Sequence, residues 1–250
     1  MFFASSPGAN DFIDNAASAL IKFQVSQDNP VRASHHPVTI ESIQATHRAQ
    51  GPSIRARLAE FRSVWEEGSD ERLWEELVYC IFTAGASARM GLRSIEAARH
   101  LLLTGEHSEL TAALVGVHRY PVSRPGYIVA TRTFLLEDCR LRLRERLESF
   151  DDPIERRDWL AREKRIKGLG YKESSHFLRN VGLKGYAILD KHILRSLAEV
   201  GVIQSPQPPT TRTRYLETEE RLRQFARDIK IDFDELDLVL WSMKTGEILK

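Results

Sequence analysis

The chain has 250 residues, of which 42% are hydrophobic and 28% are charged. These proportions are typical of a globular protein and exclude collagen-like, coiled-coil and wholly disordered chains. The 36 Lys and Arg residues nearly balance the 35 Asp and Glu residues and leave a formal charge of +1. Any nucleic-acid partner must therefore be held by a local basic surface rather than by overall charge.

No apolar run approaches the roughly 20 residues that a membrane-spanning helix requires, and the first residues lack the basic and apolar regions of a signal peptide. We therefore expect a cytoplasmic protein that does not bind a membrane. Its two cysteines, Cys80 and Cys139, are too few for a disulfide framework, a four-thiolate zinc site or an iron–sulfur cluster. The histidines show no metal-ligand spacing, so no catalytic metal is expected.

Residues 1–51 lack a regular hydrophobic period, and Pro, Gly and Asn interrupt their short apolar pieces. They are predicted to form an N-terminal extension or a small accessory element. After Pro52, apolar residues recur at steps of three and four from Ile54 to Trp65, which indicates an amphipathic helix. The main body is therefore predicted to span residues 52–250.

A second helix is predicted to begin at Asp70, because Ser69 is a favourable N-cap and Glu71 lies in the first turn. The Pro-rich run 205–210 is incompatible with a helix. No pair of strands is indicated, so the predicted fold class is all-α. The spacing of apolar residues predicts further helices at 95–103, 109–115, 127–134, 141–150, 153–166, 222–229 and 236–243.

Residues 166–172 have the sequence Ile-Lys-Gly-Leu-Gly-Tyr-Lys and predict a tight hairpin between two helices. Gly168 and Gly170 permit left-handed backbone angles, while Leu169 between them turns into the core. The free N–H groups at the start of the second helix then face a phosphate oxygen, so that a helix-hairpin-helix grips a DNA backbone without reading its sequence. An ordinary helical hairpin with a glycine cap explains the same pattern without DNA.

The predicted position of Lys172 is the first turn of the helix after this hairpin. A cation there faces the positive end of the helix dipole, which a purely structural design would avoid. The same field favours the neutral, nucleophilic form of the amine, which is able to attack a sugar carbon. The alternative interpretation is a solvated surface lysine beside Glu173.

Asp190 precedes a predicted helix that opens with Lys191 and His192. An aspartate in this position is a good N-cap and stabilises a helix by about 1 kcal/mol. The backbone N–H groups that bind the carboxylate also keep it ionised and oriented, which suits the stabilisation of an oxocarbenium-like sugar. The two roles are compatible.

These segments resemble the helix-hairpin-helix DNA glycosylases, and among them the type 2 group of 8-oxoguanine DNA glycosylase/AP lyases. Lys172 and Asp190 match the catalytic lysine and aspartate of that group in local sequence and in separation. Endonuclease III-like relatives usually carry a four-cysteine cluster near the C-terminus, and the lack of any cysteine after Cys139 excludes it. The resemblance extends to residues 76–84, 118–120, 127–128 and 241–250, and it covers residues 54–250.

The resemblance implies two helical subdomains with the active-site cleft between them, and a bifunctional enzyme that excises 8-oxoguanine and nicks the strand at the abasic site. It implies that Lys172 forms a Schiff base at C1′ that leads to β-elimination, and that Asp190 stabilises the sugar cation and helps to activate Lys172. The implied contacts with the flipped base are Trp241, which stacks, and Lys250, whose terminal carboxylate meets the Watson–Crick edge of guanine. The implied contacts with the DNA backbone are Lys167, Gly168, Leu169 and Gly170.

The implied partner is double-stranded DNA that contains 8-oxoguanine or an abasic site, bound by a monomer that associates with the nucleoid. No cofactor is implied, although the carbonyl groups of such a hairpin suit a structural monovalent cation. Basic residues before the hairpin are candidates for phosphate contacts and predict binding that weakens steeply with salt. These residues are Arg140, Arg142, Arg144, Arg146, Arg156, Arg157, Arg162, Lys164, Arg165 and Lys167.

Two points stay open at the level of the sequence. A glycosylase for another damaged base, or a noncatalytic DNA-binding protein that keeps the hairpin, is compatible with part of the pattern. The residue that fills the gap left by a flipped base is not evident, and Arg89 and Met90 are the candidates.

Overall fold

The computed structural model describes residues 37–248. This part of the chain contains eleven α-helices, one 3₁₀ turn at Arg99–Leu101 and no β-strand, which confirms the predicted all-α fold. None of the described helices is long and apolar enough to cross a membrane. The helices are α1 (Ile40–Glu67), α2 (Asp70–Thr83), α3 (Ala88–Ala98), α4 (His107–Leu114), α5 (Ser123–Cys139), α6 (Leu143–Glu148), α7 (Pro153–Arg162), α8 (Tyr171–Asn180), α9 (Lys191–Glu199), α10 (Arg212–Asp228) and α11 (Phe233–Thr245).

Two hydrophobic cores divide the described residues into two helical subdomains. The first core is formed by α2 to α7 and holds the buried Trp74 and Phe82. The second core is formed by α1, α9, α10 and α11 and holds the buried Ile54 and Leu222. Because each large apolar side chain contributes about 1.5–3 kcal/mol on burial, each subdomain has a substantial source of stability of its own.

Helix α8 is shared by the two subdomains. Phe177 and Leu178 on this helix belong to the first core, whereas Tyr171 at its start packs against the second. The ring centroids of Tyr171 and Tyr215 lie 5.4 Å apart. The N-terminal end of α8 therefore lies where the two cores meet.

Helix α1 begins earlier than the sequence predicts. The Thr39 hydroxyl accepts a hydrogen bond from the Ser42 N–H at 3.2 Å, and the Ser42 hydroxyl accepts one from the Thr39 N–H at 2.9 Å. These two bonds cap the helix at Ile40, and Pro52 lies inside it. The predicted helix start near Ile54 is therefore wrong.

The loss of one backbone hydrogen bond at Pro52 is offset by burial, because Ile43 and Ile54 of the same helix are fully buried in the second core. The predicted boundary between residues 51 and 52 consequently falls inside α1. Residues 1–36 of the predicted N-terminal extension lie outside the described residues.

Helices α5, α10 and α11 begin before the predicted residues 127, 222 and 236, the predicted bounds of α3 and α7 also differ from the structure, and the predicted start of α2 is confirmed. Helix α3 begins at Ala88 rather than at residue 95, because the Ser87 hydroxyl caps it by accepting a hydrogen bond from the Met90 N–H at 3.2 Å. Helix α7 ends at Arg162 rather than at residue 166, because the chain already turns into the hairpin there. Helix α2 begins behind the Ser69 N-cap as predicted.

The close approach of α1 to the turn after α8 depends on Gly182, which has a φ of +91°. A Cβ atom at this position would lie 2.6 Å from the Phe61 carbonyl oxygen. We expect Gly182→Ala to lower the free energy of unfolding by about 3 kcal/mol, because a backbone clash adds to the left-handed strain. Gly201→Ala is the control, since Gly201 has a φ of +77° but nothing within 4 Å of its Cβ position.

We expect Gly201→Ala to cost about 1 kcal/mol from strain alone. Urea denaturation of both variants measures the difference. Equal losses of stability would contradict the close packing at Gly182.

Candidate active site

The predicted hairpin joins α7 to α8 and is anchored on the first subdomain. The side chains of Ile166 and Leu169 are buried in the first core. The Lys167 N–H donates a hydrogen bond to the Thr131 hydroxyl on α5 at 2.9 Å. Apolar burial and one backbone hydrogen bond therefore fix the turn at the start of α8.

The two hairpin glycines differ in conformation. Gly168 has a φ of +80°, and a Cβ atom there would lie 2.9 Å from Cδ2 of Tyr127, so both the backbone and the space require glycine. Gly170 has a φ of −104° and a ψ of −168°, which is extended backbone that any residue adopts. The prediction of left-handed angles is therefore right for Gly168 and wrong for Gly170.

The hairpin leaves backbone donors available at the start of α8. Within residues 37–248, the N–H groups of Gly168 and Leu169 donate to no protein acceptor. The Gly170 N–H donates to Glu173 Oε2 at 3.3 Å. Two adjacent free donors next to a helix N-terminus suit a phosphate oxygen.

Lys172 is the second residue of α8, as predicted. Its Nζ lies 3.4 Å from Glu173 Oε1, and 28% of its side chain is exposed. A partly exposed ion pair of this kind contributes at most about 1 kcal/mol. The amine is therefore able to leave Glu173 for a substrate at little cost.

Asp190 is the N-cap of α9, as predicted. Its Oδ1 accepts hydrogen bonds from the N–H groups of His192 at 2.8 Å and Ile193 at 2.9 Å. Its Oδ2 has no hydrogen-bond partner among the described residues. Burial lowers the pKa of His192, an effect that the Asp190 charge opposes. One carboxylate oxygen is thus fixed by the helix and the other remains available.

The predicted base-contact residues lie at the C-terminal end of the chain. Trp241 is on α11 and packs, partly buried, against the second core. Lys250 lies outside the described residues. Arg89, a candidate for filling the gap left by a flipped base, forms an ion pair with Glu247, which joins the start of α3 to the segment after α11.

Most of the basic residues before the hairpin are engaged within the protein. Arg157 forms a buried ion pair with Glu219, and Arg165 forms an ion pair with Glu163. Ion pairs or carbonyl groups also hold Arg142, Arg144, Arg146, Arg156 and Arg162. In the described part of the chain, the side chains without such a partner are Arg140, Lys164 and Lys167, so these three are the cations that a phosphate would meet without breaking a contact within the protein.

The described residues contain no group of three or more His, Cys, Asp and Glu side chains that could hold a metal ion. The reactive groups that the structure positions are an amine and a carboxylate, at the starts of consecutive helices.

Sequence reasoning missed the buried polar residues behind these helices. Arg179 on α8 donates to Asp237 Oδ2 on α11 at 2.7 Å, and both side chains are almost fully buried. Burial raises the pKa of Asp237 to about 6, and the Arg179 guanidinium opposes the rise. The position of Asp237 between two apolar residues, Leu236 and Leu238, is the one sequence signal that could have revealed it.

A hairpin with free N–H groups, a lysine in the first turn of the next helix and an N-capping aspartate beyond it are the features of a helix-hairpin-helix DNA glycosylase site. The family described as 8-oxoguanine DNA glycosylase matches residues 54–231. The 8-oxoguanine DNA glycosylase/AP lyase of Korarchaeum cryptofilum is 42% identical over 198 residues, which are 79% of this chain and 90% of that protein. The chain therefore belongs to the 8-oxoguanine DNA glycosylase family.

Solved structures agree with this assignment and confirm the predicted fold. The 8-oxoguanine glycosylase/lyase of Methanocaldococcus jannaschii, in complex with a 15mer DNA containing 8-oxoguanine, matches with a TM-score of 0.77 and 36% identity over 84% of this chain and 99% of that chain. The 8-oxoguanine DNA glycosylase of Thermotoga maritima matches with a TM-score of 0.76 and 35% identity over 84% of this chain and 98% of that chain.

The two basic neighbours Lys167 and Arg165 allow a matched test of the DNA interface. We expect Lys167→Gln to weaken duplex binding and to reduce the slope of log affinity against log salt by about 0.9, because one phosphate contact is lost. We expect Arg165→Gln to change the slope less, since Arg165 is engaged by Glu163. Fluorescence anisotropy at several salt concentrations measures both. A larger effect of Arg165→Gln would contradict this interface.

Proposed function

We propose that this protein excises 8-oxoguanine from duplex DNA and then nicks the strand at the abasic site, with Lys172 as the nucleophile and Asp190 as the stabilising carboxylate. The proposal is supported by membership of the family and by the names of the relatives, which are 8-oxoguanine DNA glycosylase/AP lyases. The observation that carries it is the placement of a partly exposed amine directly after a hairpin with free N–H groups.

In the first step, a bond from C1′ to Lys172 Nζ replaces the bond from C1′ to the base. The Lys172 amine attacks C1′ while the bond from C1′ to the base nitrogen breaks, and the departing base takes the proton that the attacking nitrogen loses. The sugar ring then opens: the nitrogen lone pair forms the double bond to C1′, the bond from C1′ to the ring oxygen breaks, and the ring oxygen takes a proton from solvent. The product is a protonated imine between Nζ and C1′.

The second step breaks the strand. The protonated imine acidifies C2′, which loses a proton, and the electron pair forms a double bond as the bond from C3′ to its phosphate oxygen breaks. Hydrolysis of the imine releases the lysine. Because the imine supplies the electron sink, neither step needs a metal or an organic cofactor, and we propose that the enzyme uses none.

Asp190 acts on the positive charge that develops at the sugar. Its Oδ1 is fixed by two backbone N–H groups, so the carboxylate is held in place before the reaction starts. Its Oδ2 is available to face the sugar. A preorganised carboxylate of this kind stabilises an oxocarbenium-like transition state without reorganisation during the reaction.

Recognition of the lesion requires that the base leave the helical stack, which costs a few kcal/mol. We propose that Trp241 provides the stacking surface for the flipped base and that the hairpin N–H groups hold the backbone beside it. The contact of Lys250 with the base, which the resemblance implies, stays a prediction. We further propose that the protein acts as a monomer on chromosomal DNA in the cytoplasm, with any monovalent cation at the hairpin carbonyls purely structural.

Borohydride trapping tests the nucleophile. We expect the wild-type protein to form a covalent adduct with an 8-oxoguanine duplex in the presence of sodium borohydride, because the reagent reduces the imine to a stable amine. We expect Lys172→Gln to form none, since it has no amine at that position. Gel electrophoresis of the labelled duplex measures the adduct.

Lys184→Gln is the control for this experiment, because Lys184 is an exposed lysine in the connection between α8 and α9 and should trap like the wild type. An undamaged duplex should give no adduct. An adduct with Lys172→Gln would refute the assignment of the nucleophile. Trapping on a preformed abasic site but not on 8-oxoguanine would point to a glycosylase for another damaged base.

Asp190→Asn separates the capping role of this residue from its chemical role. Asparagine caps a helix about as well as aspartate, so the free energy of unfolding should stay close to that of the wild type. The excision rate should fall by about a hundredfold or more, because the negative charge beside the sugar is lost. Single-turnover excision and urea denaturation measure the two effects.

Thr211→Ala serves as the capping control, because the Thr211 hydroxyl caps α10 by accepting from the Arg214 N–H. We expect this variant to lose about 1 kcal/mol of stability and to keep its excision rate. Full activity of Asp190→Asn would contradict a chemical role for the carboxylate.

A further inference from the structure

The residues directly before Asp190 are buried backbone without a partner strand. Residues 187–189, here called the Asp190 segment, have the sequence Ala-Ile-Leu, are at most 6% exposed, and lie in neither a helix nor a strand. A buried N–H group without an acceptor costs about 1–3 kcal/mol. The three consecutive N–H groups of the segment therefore each require an acceptor.

Side chains of α10 and α11 supply these acceptors. In chain order, the three N–H groups donate to Glu219 Oε1 at 2.8 Å, Asp237 Oδ1 at 3.3 Å and the Tyr215 hydroxyl oxygen at 3.4 Å. The Tyr215 hydroxyl donates in turn to the Ala187 carbonyl oxygen at 2.7 Å. Three buried side chains thus take the place of a neighbouring strand.

Each of these side chains is tied to another helix. Asp237 is paired with Arg179 on α8 at 2.7 Å. The Tyr215 hydroxyl lies 3.2 Å from the Ser175 hydroxyl on α8. Glu219 accepts two hydrogen bonds from Arg157 on α7, at 2.7 and 2.8 Å. Because α8 begins with the turn that carries Lys172, Asp237 and Tyr215 connect the Asp190 segment to the helix of the nucleophile.

A displacement of the segment would reach the carboxylate directly. The Asp190 N–H donates to the Ile188 carbonyl oxygen at 2.7 Å, and the Ile188 N–H is the one that Asp237 holds. A tight turn therefore joins Asp190 to the segment, so that Asp190 moves when the segment moves. A misplacement of about 1 Å in a catalytic group lowers a rate by about a hundredfold.

We infer that Tyr215, Asp237 and Glu219 are positioning residues that set the place of the Asp190 carboxylate relative to Lys172. None of the three acts on the substrate; they act through the backbone of the Asp190 segment. This inference rests on the proposed function and deepens it. It differs from a merely structural role, in which loss of these contacts would lower stability and every activity together.

A pair of tyrosines provides the matched test. Tyr215→Phe removes the hydroxyl that holds the segment and leaves the ring in place. Tyr186→Phe removes the hydroxyl of an equally buried residue, since both tyrosines are 3% exposed, but this hydroxyl donates to the Pro153 carbonyl oxygen at 3.1 Å. Each variant loses one tyrosine hydroxyl from a buried residue, and only the Tyr215 hydroxyl binds the Asp190 segment.

We expect both variants to melt at similar temperatures and to bind an 8-oxoguanine duplex like the wild type. We expect Tyr215→Phe to slow single-turnover excision of 8-oxoguanine by about tenfold or more, and Tyr186→Phe to leave it unchanged. Borohydride trapping on a preformed abasic site should be retained by both, because attack of Lys172 on an aldehyde forms no sugar cation for Asp190 to stabilise.

Equal excision rates in the two variants would overturn the inference. So would a loss of abasic-site trapping in Tyr215→Phe as large as its loss of excision, since this is the signature of a merely structural role. Absence of excision by the wild type would overturn the proposed function itself, and the inference with it. If the wild type excises 8-oxoguanine, the proposed function stands, and equal rates in the two variants overturn the inference alone.

A second pair tests Asp237 by the same measurements. Asp237→Asn keeps an oxygen for the Ile188 N–H but loses the charge that pairs with Arg179. Asp234→Asn is its control, because Asp234 is also a buried aspartate of α11 and accepts from the Gly185 N–H at 2.9 Å, outside the Asp190 segment. A selective loss of excision in Asp237→Asn supports the inference, and equal behaviour of the pair contradicts it. If Asp237→Asn does not fold, the tyrosine pair decides.

Discussion

The candidate active site is built on three buried N–H groups in the backbone directly before Asp190. This segment lies in neither a helix nor a strand, so its hydrogen bonds must come from side chains, and Glu219, Asp237 and Tyr215 provide them. A buried N–H group restricts its acceptor in distance and direction. The hydrogen bonds that satisfy these N–H groups therefore also fix where α9 begins and where its N-capping carboxylate lies.

Helix α8 connects this arrangement to the hairpin that precedes the helix. Its first turn carries Lys172 directly after the hairpin, and its later turns carry Ser175 and Arg179, which contact the side chains that hold the segment. Buried ion pairs such as Arg179 with Asp237 often contribute little net stability, because desolvation opposes their attraction. This pair joins α8, which contributes to the first core, to α11 of the second core, and so links the two subdomains.

Much of the fold and of the candidate site could be predicted from the sequence, because local signals specify it. Ser69 and Asp190 are N-caps whose side chains bond backbone groups two or three residues away. Gly168 is required by a left-handed turn, although Gly170 proved to be extended. The sequence analysis did not predict the start of α1, because a proline such as Pro52 indicates a helix boundary. The helix continues through Pro52 because its apolar side chains are buried against other helices, which is a property of the tertiary structure.

The sequence by itself determined the all-α class, the family, the hairpin and the positions of Lys172 and Asp190 on their helices, since each rests on residues close together in the chain. Only the tertiary structure decided which charges are structural. Arg157 and Glu219 are 62 residues apart in sequence and form one buried pair, and the Arg144 guanidinium donates to the Gly68 carbonyl oxygen, 76 residues away in sequence. The physical reason is that burial and pairing depend on which helices pack together, and a charged residue on an amphipathic helix looks the same in the sequence whether it faces solvent or a partner.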